Sequence, residues 1–220
     1  MTYLQLVNMV LRRLRENEVT TLQGISRQTS YVRLIGDFIN DAKRMVEQSW
    51  DWSALRTTQT VTTQADVFNY VLTGSNNRFE VLNVLNDTSN WFMHYQPASW
   101  FDQAYLLDGS VNRGSPAYYS FNGVDSNGDT QVDVYPKPDG VYSLRFNVVQ
   151  RRSDLSADTD TVLIPTRPIV LLAQAMAIEE RGEDGGNAST WAYQQAQSAL
   201  SDEIALDSAR HPEELIWREV

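Results

Sequence analysis

The chain contains no cysteine, which excludes disulfides, a thiolate nucleophile and cysteine-ligated zinc together. Histidine is nearly absent as well: His94 and His211 are the two present, too few for a histidine-rich metal site. No apolar run approaches the roughly 18 residues that would cross a bilayer. The first apolar stretch, Met1 to Leu11, lacks a basic segment ahead of it and is followed by Arg12, Arg13 and Arg15, the reverse of a secretion signal. Basic residues are outnumbered, with 18 Lys plus Arg against 28 Asp plus Glu and a formal net charge of −10. A broad grip on nucleic-acid phosphates needs a basic face, so that class of function is disfavoured. What is present is ordinary for a folded protein: 220 residues, 42% of them hydrophobic, enough for one large domain or two small ones. The expectation is a soluble, acidic protein made and used without disulfides.

The acidity is unevenly spread. Residues 1–55 carry 7 basic and 6 acidic side chains, residues 56–153 carry 7 and 9, and residues 154–220 carry 4 and 13. The last third thus holds almost the whole excess. Carboxylates there either keep a helix surface solvated or form an acidic wall to which a passing polyanion does not adhere.

Periodicity changes twice along the chain. Residues 2–15 predict an amphipathic helix with Leu4, Val7, Leu11 and Leu14 on one stripe and Thr2 as N-cap. A second helix is predicted from Ser30 to Asp51, with Tyr31, Leu34, Ile35, Phe38, Ile39, Ala42, Met45 and Val46 facing inward. From Arg56 the β-branched run RTTQTVTT has no helical stripe. Strand-like runs follow at Val67–Thr73, Arg78–Asn86, Trp91–Tyr95, Ala117–Phe121, Gln131–Tyr135 and Val141–Gln150, separated by Gly, Asn, Asp and Pro turns. Val132 to Phe146, with Pro138-Asp139-Gly140 in its middle, reads as a hairpin. Ser99 to Leu107 interrupts the strands as a short helix. Helical character returns after Pro165, with Pro168 in a first turn, and breaks at Gly182–Gly186. A last helix spans Ala188 to Arg210, with Trp191, Gln195, Ala199 and Ile204 near one stripe. The expected class is α+β: residues 1–55 and 154–210 as a discontinuous helical bundle, residues 56–153 as an inserted antiparallel β domain, and residues 211–220 as a docking tail.

Catalytic or metal chemistry is hard to place. Asp125-Ser126-Asn127-Gly128-Asp129 starts like a calcium loop, but Thr130 stands where glycine is required and Pro136 where glutamate is required. An Asn-Gly hairpin turn accounts for the same residues. The acidic pairs Asp158/Asp160, Glu179/Glu180 and Glu183/Asp184 lie on loops or exposed helix, with no sign of the cleft that separates the pKa values of an acid–base pair. No Gly-x-Ser-x-Gly elbow or Gly-rich phosphate loop occurs. No cofactor is expected. Nine of the 23 aromatics fall between Trp91 and Phe121, readable as the core and interface rim of the β domain or as a carbohydrate-stacking platform. The tail triplet Leu215-Ile216-Trp217, after the helix-stopping Pro212, either folds back on the body or docks on another chain.

Two stretches carry a resemblance. One is Leu34 to Trp52, a helix ending in Trp50-Asp51-Trp52 before a strand of Thr and Val. The other is Ile169 to Trp217, in which Ala175 to Gly182 precedes a Gly-rich break and a long helix running to Arg210. This layout resembles the head-to-tail adaptors of tailed bacteriophages, in particular the tail tubular protein A type. The resemblance implies a structural virion protein without catalytic activity, assembled in the host cytoplasm. It implies a ring, commonly of twelve copies, that joins the portal protein to the tail nozzle or tail tube protein and continues the DNA channel. DNA would only pass through the lumen, and no membrane is involved. Leu215, Ile216 and Trp217 are the portal-docking candidates.

Overall fold

Thr2 opens the first helix as a capping box. Its Oγ1 accepts the Gln5 amide at 3.3 Å, and the Gln5 side-chain oxygen accepts the Thr2 amide at 3.0 Å, so two amides at the helix start are satisfied reciprocally. The computed structural model describes residues 1–23, 30–107, 111–182 and 187–210. Among these, the helices are α1 (Tyr3–Arg13), α2 (Ser30–Ser49), α3 (Ala98–Asp102), α4 (Thr166–Arg181) and α5 (Asn187–Ser208). The strands are β1 (Arg56–Thr62), β2 (Asn69–Val71), β3 (Phe79–Asn86), β4 (Trp91–Phe92), β5 (His94–Tyr95), β6 (Tyr118–Val124), β7 (Thr130–Tyr135) and β8 (Ser143–Gln150). The class is α+β, as expected from the sequence. The chain divides into two units, Met1–Leu55 with Ser153–Val220, and Arg56–Arg152.

In the helical unit α4 is central: it packs against α1, α2 and α5. Its composition explains this, since Ile169 through Ala173, Ala175 and Ala177 are all buried, leaving no single apolar stripe. A helix apolar on several sides needs neighbours on several sides. Gly182 ends it at φ +64°, donating its amide to the Ile178 and Glu179 carbonyls, a left-handed conformation that glycine adopts without strain. Arg181 in the last turn lies over the Tyr31 ring, 4.9 Å from its centre, and donates to the Tyr31 hydroxyl and to Glu16.

The other helices face the core at angles different from those predicted. On α1 the buried residues are Tyr3, Leu6, Val7, Val10 and Leu11, while Leu4 and Leu14 are half-buried. On α2 the buried face runs through Val32, Ile35, Gly36, Ile39, Ala42, Lys43, Val46 and Glu47, and Met45 is exposed. Lys43 and Glu47 enter because they pair with each other, 3.0 Å apart and only 2% and 1% exposed. On α5, Ser189, Ala192, Ala196 and Ala199 are buried, whereas Trp191 is 60% exposed and Gln195 is exposed as well. Small side chains permit close approach to α4, and an indole on that stripe would force the helices apart.

Side-chain amides tie passing loops to these helices. Asn8 grips the backbone of Val19 through both its amide groups at 2.9 Å, and Asn40 grips Leu155 likewise at 3.1 and 2.9 Å. Each satisfies a backbone donor and acceptor that has no ladder partner.

The β unit is two four-stranded sheets, ordered β1-β8-β3-β4 and β2-β7-β6-β5. All pairings are antiparallel except β5 with β6. Val61, Leu72, Val84, Met93, Tyr119, Val132, Val134, Leu144, Phe146 and Val148 form its core. The predicted hairpin over Val132–Phe146 is not there: β7 lies in one sheet and β8 in the other, and residues 136–142 cross between them. Both strands are central and carry fully buried residues, Val132 and Val134 on one, Leu144 and Phe146 on the other. They meet face to face across the core rather than edge to edge. A hairpin does join β6 to β7 through Asp125–Asp129, where the Asp125 carboxylate accepts the amides of Asn127 (2.8 Å) and Asp129 (2.9 Å).

Candidate interaction surfaces

The junction after α2 is held by one buried carboxylate. Asp207 near the end of α5 accepts from the Trp50 indole at 3.1 Å, the Ser53 amide at 2.9 Å and the Ser53 hydroxyl at 2.5 Å. Trp52 is buried and donates its indole N–H to the Val46 carbonyl at 2.7 Å. The Trp50-Asp51-Trp52 signature therefore does structural work, pinning the end of α2 to α5. Burial pushes the Asp207 carboxyl up, but the donors from Ser53 and Trp50 outweigh it and hold the group below the usual aspartate range.

Other acidic residues of the last third are engaged in the same way. Asp154 receives the Arg44 guanidinium. Asp158 accepts the Thr21 hydroxyl (2.6 Å) and the Leu22 amide (2.9 Å). Asp160 accepts the amides of Ser156 (2.7 Å) and Ala157 (2.8 Å), which lower its pKa. Glu179 accepts the Tyr193 hydroxyl at 2.7 Å, and burial together with this contact raises the phenol to about 12. Of the described acids this leaves Glu180 and Asp202, both exposed, and the half-buried Glu203. Glu183, Asp184, Glu213, Glu214 and Glu219 lie outside the described residues. No group of three or more His, Asp or Glu residues that could hold a metal ion occurs among the described residues. No described helix is long and apolar enough to cross a membrane.

Most of the aromatic cluster is internal. Trp100 sits 5.1 Å from both Tyr118 and Tyr135, Tyr119 meets Phe146 edge-on at 6.0 Å, and Phe101 is buried. Tyr105 donates to the Val134 carbonyl at 2.5 Å, and burial, with Asp133 nearby, raises its pKa strongly. Three rings remain outside: Trp91, Phe92 and Tyr95. They lie on β4 and β5, the edges of the two sheets, joined through the buried Met93 whose amide donates to Val84. Trp91 and Phe92 are successive on a strand and so point to opposite faces. That is a poor geometry for a flat sugar-stacking platform and a reasonable one for packing against protein.

In the helical unit Met1, Leu163 and Leu206 are exposed apolar side chains around one groove of about 430 Å³. The segment Val162-Leu163-Ile164 ahead of Pro165 carries this site, and the apolar run before a proline was its available signal. The predicted docking residues Leu215, Ile216 and Trp217 lie outside the described residues.

In a comparison with known families, residues 1–215 fit a family model described as SU10 adaptor protein. No curated protein matches the chain.

Proposed function

Because the chain belongs to the SU10 adaptor protein family, a family of phage head-to-tail adaptors, and is thus a structural virion component, we propose that it acts as a ring joining portal to tail. In this reading several copies, commonly twelve, close around the DNA path below the portal protein, and the lower face receives the tail nozzle or tail tube protein. Assembly takes place in the host cytoplasm, and DNA passes through the lumen without being held. Leu215, Ile216 and Trp217 dock on the portal. The family match over residues 1–215 carries the reading. The exposed rings of Trp91, Phe92 and Tyr95 and the outward Trp191 support it, because exposed aromatics on several elements suit a subunit with several neighbours. A protein of this kind works by burying surface, and no bond need be made or broken.

The deciding experiment mixes purified chain with the portal of the same phage and images the product. A multi-copy ring on one portal face is expected. A bare portal at saturating concentrations of the chain would overturn the proposal. A monomer in isolation does not bear on it, since such a ring can close on its template alone.

A further inference from the structure

The end of β6 and the turn after it carry the chain's two Asn-Gly pairs, Asn122-Gly123 and Asn127-Gly128. A glycine after asparagine leaves the next amide nitrogen uncrowded by a Cβ, so that nitrogen can approach the asparagine side chain. We propose that Asn122 is a site of spontaneous modification, deamidating through a succinimide, and that the fold protects Asn127 from the same reaction.

The Gly123 amide nitrogen attacks Cγ of Asn122. The new N–Cγ bond forms as the Cγ–Nδ2 bond breaks, and the attacking nitrogen's proton leaves with Nδ2 as ammonia. Water is the second reactant: it opens the imide ring at either carbonyl and leaves aspartate or isoaspartate. Neither step calls on a cofactor or on another side chain.

Geometry separates the two pairs. Asn122, Gly123 and Val124 are all exposed, and the register of β6 with β7 shifts between Phe121 and Val124, so the first pair sits at an irregularity in the ladder. Gly123 has φ +83°, and the space into which a side chain there would project is open. The Asn122 side chain makes no hydrogen bond among the described residues. Its Cγ is free to turn toward the following nitrogen.

Asn127 is exposed too, but both of its reacting groups are tied to Asp125. Its Nδ2 donates to Asp125 Oδ2 at 3.3 Å and its own amide donates to Oδ1 at 2.8 Å. The attacking nitrogen, that of Gly128, donates to the Asp125 carbonyl at 3.1 Å. Attack must first break the bonds at Nδ2 and at the Gly128 amide. The carboxylates of Asp125 and Asp129 flank the pair, and their charge opposes the negative charge that the nitrogen gains as its proton leaves.

Each conversion places a new carboxylate on the β unit, and the isoaspartate form also lengthens the main chain by one carbon within β6. Asn122 thereby records the age of the folded chain, whether or not the ring reading holds.

Incubation of the full chain in mildly alkaline buffer, sampled over time and read by tandem mass spectrometry, tests the assignment. Peptide fragments place the mass gain of NH replaced by O on Asn122 or on Asn127, and circular dichroism verifies that the sample stays folded. Asn122 is expected to convert roughly tenfold faster than Asn127, the factor that two ordinary hydrogen bonds broken ahead of the reaction would give. In urea, where the turn is lost, the two rates should converge. Equal rates in the folded chain, or a faster Asn127, overturn the proposal. So does an Asn122 that stays unmodified over a time in which the chain in urea converts.

Discussion

Breaking the buried pair on α2 should be costly from either side and nearly harmless when both partners go. Lys43 Nζ lies 3.0 Å from Glu47 Oε1, both side chains are almost wholly enclosed, and Lys43 also donates to the Ser153 carbonyl at 3.1 Å. The second carboxylate oxygen, Oε2, has no hydrogen-bond partner among the described residues. Lys43→Met keeps the length of the stem but leaves a carboxylate in the core, for an expected loss of about 3–5 kcal/mol. Glu47→Leu leaves an ammonium that retains Ser153, so its loss should fall near the lower end, about 3 kcal/mol. Lys43→Met/Glu47→Leu removes both desolvation penalties and fills the space with apolar atoms. Its stability should lie within about 1 kcal/mol of the parent or above it. The singles sum to roughly 6–8 kcal/mol, so a near-neutral double variant means a coupling of about that size. Urea denaturation followed at 222 nm reports the helices, and the slope with denaturant verifies that the same surface is exposed in each variant. A double variant as unstable as the sum of the singles would refute the reasoning, since the two groups would then not be compensating one another.

The remaining expectations are smaller and independent. Asp207 is held below the usual aspartate range, so its contribution is complete above the unfolded value near pH 3.9 and is lost as pH falls through the depressed folded value. Asp207→Asn should flatten the acid limb of stability against pH, and Asp207→Ala should cost about 1.5–3 kcal/mol by urea denaturation; an unchanged acid limb in the Asn variant contradicts this. Gly36→Ala adds a Cβ that meets the Tyr3 hydroxyl at 2.4 Å. Overpacking of about 1–3 kcal/mol should exceed the roughly 1 kcal/mol gain in helix propensity. Adding Tyr3→Phe to that variant should restore the parental melting temperature. Gly182→Ala should cost about 1 kcal/mol by thermal melting, because alanine is strained at φ +64°.

The α+β class and most element spans could be read from the sequence, since long periodic segments and turn clusters are local signals. Facing was less legible. On α2 an apolar count favours Phe38 and Met45, yet the core face passes through Lys43 and Glu47, because two opposite charges four residues apart can neutralise each other and enter together. On α5 the stripe of Ala192, Ala196 and Ala199 wins over Trp191, since closeness to α4 matters more than the hydrophobicity of any one side chain. The Pro-Asp-Gly segment is a reversal, as its residues predict, but it carries the chain from one sheet to the other. Alternation and turn residues are the same whether a reversal joins neighbours in one sheet or strands in two. Strand partners are settled by long-range pairing, here β8 between β1 and β3, which no local pattern encodes. Of the interaction surfaces, the aromatic cluster was visible as a density, but which of its rings stay outside depends on β4 and β5 being sheet edges. Leu163 and Leu206 were missed because they are distant in sequence and each is unremarkable alone.

The acidity of the last third shows why a charge count is a weak guide to function. As bare arithmetic, residues 154–220 carry a net −9, and that number invites an electrostatic role at long range. In the fold, Asp154, Asp158, Asp160, Glu179 and Asp207 each accept hydrogen bonds within the helical unit. A carboxylate committed to an amide or a guanidinium still carries charge, but its placement answers to the loop or corner it holds rather than to anything outside. These groups relate the acidity first to folding, and for Asp207 and Asp160, whose pKa values are lowered, to sensitivity at low pH. Among the described acids of the last third, those whose placement is not set by such a bond are Glu180, Asp202 and Glu203. A specific electrostatic role beyond folding is therefore best sought at that small set of side chains on α4 and α5. Charge reversal at those three positions tests it without disturbing the five that build the fold.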